Sequence, residues 1–84
     1  MKNTMDIIFI VNGVDVVIKS KKLACLKFAR NKALSDTNNT GRPMEEWEVH
    51  NDRGERLDTN KTIKTLGMQD GARVFLNLKT GAGG

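Results

Sequence analysis

The sequence has one cysteine, one proline and no tyrosine, and it contains no long hydrophobic run. Because Cys25 has no second cysteine as a partner, an internal disulfide framework is excluded and a reducing compartment is expected. The longest apolar run, residues 7–11, has the length of a strand, whereas a membrane-spanning helix needs about 20 apolar residues. The first residues also lack the apolar core and cleavage site of a signal peptide. We therefore expect a cytoplasmic protein that does not cross a membrane.

Side chains that usually carry catalysis or bind metals are also scarce. Cys25 and His50 stand without catalytic or metal-binding partners nearby in sequence. Asp52, Glu55 and Asp58 surround a turn, where acidic groups are usually solvated. No Ser-His-Asp set, phosphate-binding loop or pair of catalytic carboxylates is recognisable. We therefore predict no catalytic residue, no metal site and no bound cofactor, and a protein that is not itself an enzyme.

The chain of 84 residues is long enough for one small domain, and its formal net charge of +4 raises the question of nucleic-acid binding. The basic residues are scattered except over residues 19–32, a stretch that we interpret as a solvated face. No aromatic residues that could stack on bases are interleaved with the basic ones. The composition therefore favours a globular domain over a nucleic-acid-binding protein.

Residues 6–19 predict a β-hairpin. Asn12-Gly13 lies between two runs rich in β-branched residues, and this dipeptide favours the two-residue type I′ turn. Such a turn fixes the register of the strands, so that Phe9 faces Val16 on the inner face of the sheet. The opposite, outer face then carries three large aliphatic side chains: Ile8, Ile10 and Val17.

The remaining segments predict one helix and three more strands. The helix covers residues 20–35, with Ser20 as its N-cap. Its apolar residues share one side at helical spacing: Leu23, Leu26, Ala29 and Ala33. Strands are predicted over residues 46–50, 55–57 and 72–79, and the second of these is a short edge strand.

This order of elements predicts an α+β fold, in which one helix packs on one face of a mixed sheet. We expect an N-terminal extension over residues 1–5, the domain over residues 6–79 and a flexible, glycine-rich tail over residues 80–84. The predicted core consists of Ile7, Phe9, Val11, Val16, Ile18, Leu23, Leu26, Trp47, Val49, Leu57, Ile63, Val74, Leu76 and Leu78.

The succession of these motifs resembles the ubiquitin family. The resemblance is carried by the hairpin around Asn12-Gly13, the helix with Leu23 and Leu26, residues 57–63, residues 66–76 and Gly83-Gly84. More narrowly, the sequence resembles a bacterial ubiquitin-like group that is associated with activating, conjugating and JAB-type deconjugating enzymes. The residues that carry this narrower resemblance are Val11-Asn12-Gly13, Glu46-Trp47-Glu48, Asp70-Gly71 and Phe75-Leu76. The resemblance implies a β-grasp fold.

The resemblance also implies a protein modifier that is joined to target proteins through an isopeptide bond. Conjugation would occur at Gly84, next to Gly83, because residues without a Cβ atom can pass through a narrow channel of a partner enzyme. The rest of the tail consists of Lys79, Thr80, Gly81 and Ala82. An activating enzyme that uses ATP would adenylate the carboxylate and pass it to a partner cysteine as a thioester.

Other functions stay open. A sulfur carrier would convert the terminal carboxylate into a thiocarboxylate, and a plain interaction module would not use the tail at all. An acceptor-linked product favours the modifier, a sulfur-for-oxygen mass change favours the carrier, and loss of Gly83-Gly84 without consequence favours the module. Steep salt dependence of binding would indicate a nucleic-acid binder.

The outer face of the predicted sheet is a candidate partner-binding surface. In the β-grasp arrangement the first and last strands are neighbours, and Phe75 points outward if Val74 and Leu76 point inward. Four large apolar groups then share a face that a small domain usually keeps polar: Ile8, Ile10, Val17 and Phe75. Exposed apolar clusters of this kind often mark interfaces, with aromatic residues as anchors. The alternative is that the N-terminal residues or a loop of the same chain cover the cluster.

Overall fold

Two strands joined at Asn12 and Gly13 begin the fold in the computed structural model, which describes residues 3–79. Strand β1 comprises Thr4–Val11 and strand β2 comprises Val14–Lys21. Asn12 and Gly13 have φ angles of 49° and 77°, the left-handed conformations that both central positions of a type I′ turn require. The predicted register is confirmed, since the paired residues are those expected from a two-residue turn.

Three further strands complete a five-stranded sheet of order β2-β1-β5-β3-β4. Strand β3 comprises Trp47–His50, β4 comprises Arg56–Leu57 and β5 comprises Ala72–Leu78. β5 pairs parallel with β1, whereas the other neighbouring pairs are antiparallel. Parallel neighbours need a crossover connection, and helix α1, Leu26–Asp36, lies within that connection. The predicted α+β fold, a mixed β-grasp sheet with one helix, is confirmed.

The core lies between α1 and the inner face of the sheet. Residues of β1 that point inward are buried and alternate with half-buried ones, as the period of a strand requires. The helix contributes inward residues at spacings of three and four: Leu26, Ala29, Arg30, Ala33 and Leu34. The largest fully buried side chains are Phe9, Ile7, Ile18, Leu26, Leu34, Ile63, Val11, Val49 and Val74. Trp47 and Leu76 are also buried, as predicted.

The start of the helix differs from the prediction. The sequence pattern favours a helix from Ser20, but α1 begins at Leu26 and β2 continues through Lys21. Ser20 pairs with Met5 and is only 8% exposed, so it belongs to the sheet and caps no helix. Thr4 and Met5 extend β1 into the expected N-terminal extension, and the backbone partners that they supply stabilise the longer β2.

Four predicted core residues are more exposed than expected. Leu23 precedes α1, so helical spacing does not apply to it, and it is 74% exposed. Leu78 is the last residue of β5 and is 39% exposed at the end of the sheet. Val16 and Leu57 are partly buried and pack against the core rather than within it. The predictions for Leu23 and Leu78 are therefore wrong.

Leu26→Ala is expected to lower the free energy of unfolding by about 2–4 kcal/mol, because it leaves a cavity between α1 and the sheet. Leu23→Ala is the matched control, and we expect a change of less than about 0.5 kcal/mol because the side chain is exposed. Urea denaturation measures both values. Equal losses in the two variants would contradict the observed helix boundary.

Candidate functional site

The outer face of the sheet, which points away from α1, brings together the residues predicted to bind a partner. Strand pairing sets Ile10 of β1 between Asp15 of β2 and Phe75 of β5. Phe75 in turn pairs with His50 of β3. Because Ile10 and Phe75 are direct neighbours across parallel strands, the expectation that Phe75 lies beside the hairpin is confirmed.

A second row of the same face contains Ile8, which pairs with Val17 on one side and with Arg73 on the other. Val17 is 59% exposed, while Ile8, Ile10 and Phe75 are half-buried and lie outside the core cluster. We name these four residues the outer apolar strip: Ile8, Ile10, Val17 and Phe75. Its position is established, and its role in binding stays a prediction.

One ion pair crosses the outer apolar strip between the rows of Ile8 and Ile10, and another lies to one side of the strip. Arg73 Nη1 lies 3.7 Å from Asp15 Oδ2 across three strands, and Arg56 Nη1 lies 3.2 Å from Glu48 Oε2 near the opposite edge. Pairs as exposed as these contribute little to stability. Charges within or beside an apolar surface instead influence the orientation and the choice of a partner.

His50 is a residue of this face that the sequence analysis did not select. Its Nδ1 atom is buried and has no hydrogen-bond partner within the described chain, and its Nε2 atom lies 3.8 Å from Glu48 Oε1. His50 and Phe75 line a hollow of about 380 Å³ together with Asn51, Asp52, Gly54 and Asn77. The inward positions of Trp47 and Val49 already imply an outward His50, so strand alternation was the available signal.

The predicted conjugation segment is described only at its first residue. Lys79 follows β5 directly and is exposed, and its backbone N–H donates to the carbonyl oxygen of Glu46 at 2.8 Å. The other predicted tail residues lie outside the described residues: Thr80, Gly81, Ala82, Gly83 and Gly84. This hydrogen bond therefore holds the first residue of the predicted segment beside the start of β3.

The described chain offers little conventional active-site chemistry. Cys25 is half-buried, and its Sγ atom donates to the carbonyl oxygen of Asn60 at 3.3 Å. Residues 3–79 contain no group of three side chains that could hold a metal ion. No helix in this range is long and apolar enough to cross a membrane.

Comparison with known proteins first gives a family. The profile of the DUF2604 family, described as "Protein of Unknown function", matches residues 1–84. A relative from Sinorhizobium fredii, "Uncharacterized protein y4jI", is 35% identical over 80 residues. That alignment covers 95% of this chain but 62% of the relative, so the chain spans less than two thirds of the relative's length.

Solved structures are similar over nearly the whole chain. A protein designed on the basis of ubiquitin matches with a TM-score of 0.79 and 17% identity, covering 95% of this chain and 94% of the design. Ubiquitin from Caldiarchaeum subterraneum matches with a TM-score of 0.74 and 19% identity, covering 90% of this chain and 94% of that protein. At these identities the likeness shows the ubiquitin-like fold alone.

Phe75→Ala is expected to lower the free energy of unfolding by about 1–2 kcal/mol, because the side chain keeps part of its solvent contact. Phe9→Ala is the comparison variant within the same sheet, and we expect a loss of about 3–5 kcal/mol because Phe9 is fully buried. Thermal and urea denaturation measure both losses. A loss at Phe75 as large as that at Phe9 would show that the outer apolar strip is a second core.

Proposed function

The chain belongs to the DUF2604 family, and we propose that it is a ubiquitin-like protein modifier that is conjugated to target proteins through the carboxylate of Gly84. One observation carries the proposal. Central strand β5, held between β1 and β3, ends at Leu78, directly before Lys79 and the segment Thr-Gly-Ala-Gly-Gly. A packed domain thus presents, at the end of its central strand, a sequence of small residues that suits passage into a partner enzyme.

The proposed chemistry has three transfers, and the chain catalyses none of them. The Gly84 carboxylate attacks the α-phosphate of ATP in an activating enzyme, which forms an acyl-adenylate and releases pyrophosphate. A partner cysteine thiolate then attacks the acyl carbon and AMP leaves, which forms a thioester. Finally an amine of the target attacks the thioester, an amide bond forms, and the thiolate departs with a proton passing to the medium.

The outer apolar strip is the proposed docking surface for the activating and conjugating enzymes. It lies on the face opposite α1, so a partner can cover it without disturbing the core. Phe75 supplies the aromatic anchor, and the ion pairs of Asp15 and Glu48 supply charges for orientation. A JAB-type protease that removes the modifier would use the same tail. The proposed setting is the bacterial cytoplasm.

A second candidate function is an interaction domain that does not become conjugated. The relative from Sinorhizobium fredii is longer than this chain, which fits a β-grasp domain used as one part of a larger protein. In that case the outer apolar strip binds the partner and Gly84 has no chemical role. A sulfur carrier is the third possibility, and a sulfur-for-oxygen mass change at Gly84 distinguishes it from both.

Tryptic mass spectrometry tests the proposal directly. Lys79 is the last basic residue of the sequence, so trypsin should leave Thr-Gly-Ala-Gly-Gly attached to each modified lysine of a target. Gly83→Val and deletion of Gly84 are expected to abolish these branched peptides, because the bulkier or shortened tail no longer reaches the nucleotide and thiol. Intact mass measurement of the chain isolated from cells establishes whether Gly84 is exposed as the terminus.

Gly41→Val is the matched control for this experiment. Gly41 lies in an exposed loop where an added Cβ meets no atom within 4 Å, so conjugation should continue. All variants should melt close to the parent temperature, since the described core ends at Leu76 in the sequence. Unchanged branched peptides from both tail variants would show that Gly84 is not the reactive residue. No branched peptides from either the parent chain or Gly41→Val would refute the modifier function and leave the interaction domain.

Ile10→Ala and Phe75→Ala are expected to weaken binding to the activating enzyme at least about tenfold when combined, because both truncate buried contacts of an interface. Phe28→Ala is the control, since Phe28 is a 57% exposed phenylalanine on α1 and not on the sheet. Calorimetric titration measures the affinity of each variant. An unchanged affinity in the double variant would remove the outer apolar strip from the proposed docking surface.

A further inference from the structure

Arg30 is a charged residue in a position that suits an apolar one. It lies on the inward side of α1, four residues after Leu26, and is only 5% exposed. Its Nε atom donates to Asn31 Oδ1 at 3.0 Å. Within residues 3–79 the guanidinium has no carboxylate at ion-pair distance, and no hydrogen bond from Nη1 or Nη2 is present. The terminal nitrogens keep contact with solvent, so the tip of this largely buried side chain can donate hydrogen bonds to a ligand.

Two adjoining cavities open beside this guanidinium. They have volumes of about 310 Å³ and about 370 Å³, and both are lined by Arg30, Glu45, Thr59 and Lys79. We name their joint space the Arg30 groove. It lies between α1, the short 3₁₀ helix Met44–Glu46 that precedes β3, and the loop after β4. Arg30 therefore borders open space from which an acceptor can reach its side chain.

A buried donor without a partner also belongs to a residue of this groove. Trp47 lines the cavity of about 310 Å³, and its Nε1 atom is buried without a hydrogen-bond partner in the described chain. Buried indole N–H groups usually have an acceptor. Arg30 of α1 and Trp47 of β3 thus line one cavity, and within the described chain neither has an acceptor for all of its N–H groups. Both observations favour an acceptor bound in the groove.

The charges of the walls select the kind of acceptor. Burial lowers the pKa of Arg30, and the nearby carboxylate of Glu45 raises it, so the guanidinium remains charged. Glu45, Glu48 and Asp58 also line the groove and balance the cations Arg30, Arg56 and Lys79, so the walls have no excess positive charge to hold a dianion. A planar ligand with a single negative charge suits both conditions, because the guanidinium fork accepts a carboxylate through two parallel hydrogen bonds.

We propose that the Arg30 groove binds a carboxylate, with the Arg30 guanidinium as its main ligand and the Trp47 indole beside it. The proposal is independent of conjugation. The carboxylate has two sources of the same chemistry: an acidic group of a partner molecule, or the terminal carboxylate of this chain. The second source is relevant because Lys79, which lines both cavities, directly precedes residues 80–84.

The single tryptophan makes the groove directly observable. Trp47 gives the only indole N–H resonance of the ¹⁵N-labelled chain, so its shift reports on the groove alone. Acetate and N-acetylglycine are titrated at constant ionic strength against chloride and inorganic phosphate. We expect a saturable shift with either carboxylate, and binding at least about tenfold weaker in Arg30→Gln. Arg30→Lys keeps the charge without the fork and should weaken binding less.

Arg53→Gln is the matched control, because Arg53 is an exposed arginine in the turn between β3 and β4. A chain amidated at Gly84 separates the two sources. If added carboxylate shifts the indole in the intact chain, the ligand comes from outside. If it does so only in the amidated chain, the chain's own carboxylate fills the groove. Three results would each overturn the proposal. They are no shift of the indole resonance in either chain, equal carboxylate binding by both Arg30 variants and the parent, and phosphate binding as tight as acetate binding.

Discussion

The parallel pairing of β1 with β5 is the constraint on which the rest of this structure depends. It is fixed at one end by Asp6, whose backbone N–H donates to Asp70 Oδ1 and whose carbonyl accepts from Gly71, both at 2.7 Å. A parallel pair requires a long connection, and that connection contains α1, β3 and β4. The same pairing places β5 at the centre of the sheet and sets Phe75 against Ile10. The fold, the outer apolar strip and the position of Lys79 therefore share one origin.

The sequence predicted the fold where local chemistry is decisive. Asn12 and Gly13 determine the turn and with it the register of two strands, and period-2 alternation then assigns every face of β1. The start of α1 was not predictable in this way. Ser20 carries the signature of an N-cap, but its pairing with Met5 depends on how far β1 extends, which no local pattern specifies.

The two candidate sites also differ in how far the sequence predicts them. The outer apolar strip follows from alternation on two strands and from their adjacency, so its geometry was predictable. The Arg30 groove was not, because hydrophobic periodicity counts apolar residues and excludes a cation from the inward side of a helix. Arg30 nevertheless falls at the position that the spacing of Leu26 and Ala33 requires. A charged residue within an apolar stripe is the signal that could have revealed it.

The order of the sheet leaves β2 as an edge strand with eight residues, which is a long open row of backbone donors and acceptors. Its alternate positions carry Asp15, Lys19 and Lys21. In-register stacking of copies along this edge would bring each of these charges against its own duplicate. Repulsion between these charges thus opposes fibril growth along β2. Replacing the two lysines by β-branched residues would remove that repulsion and leave a chain prone to polymerise.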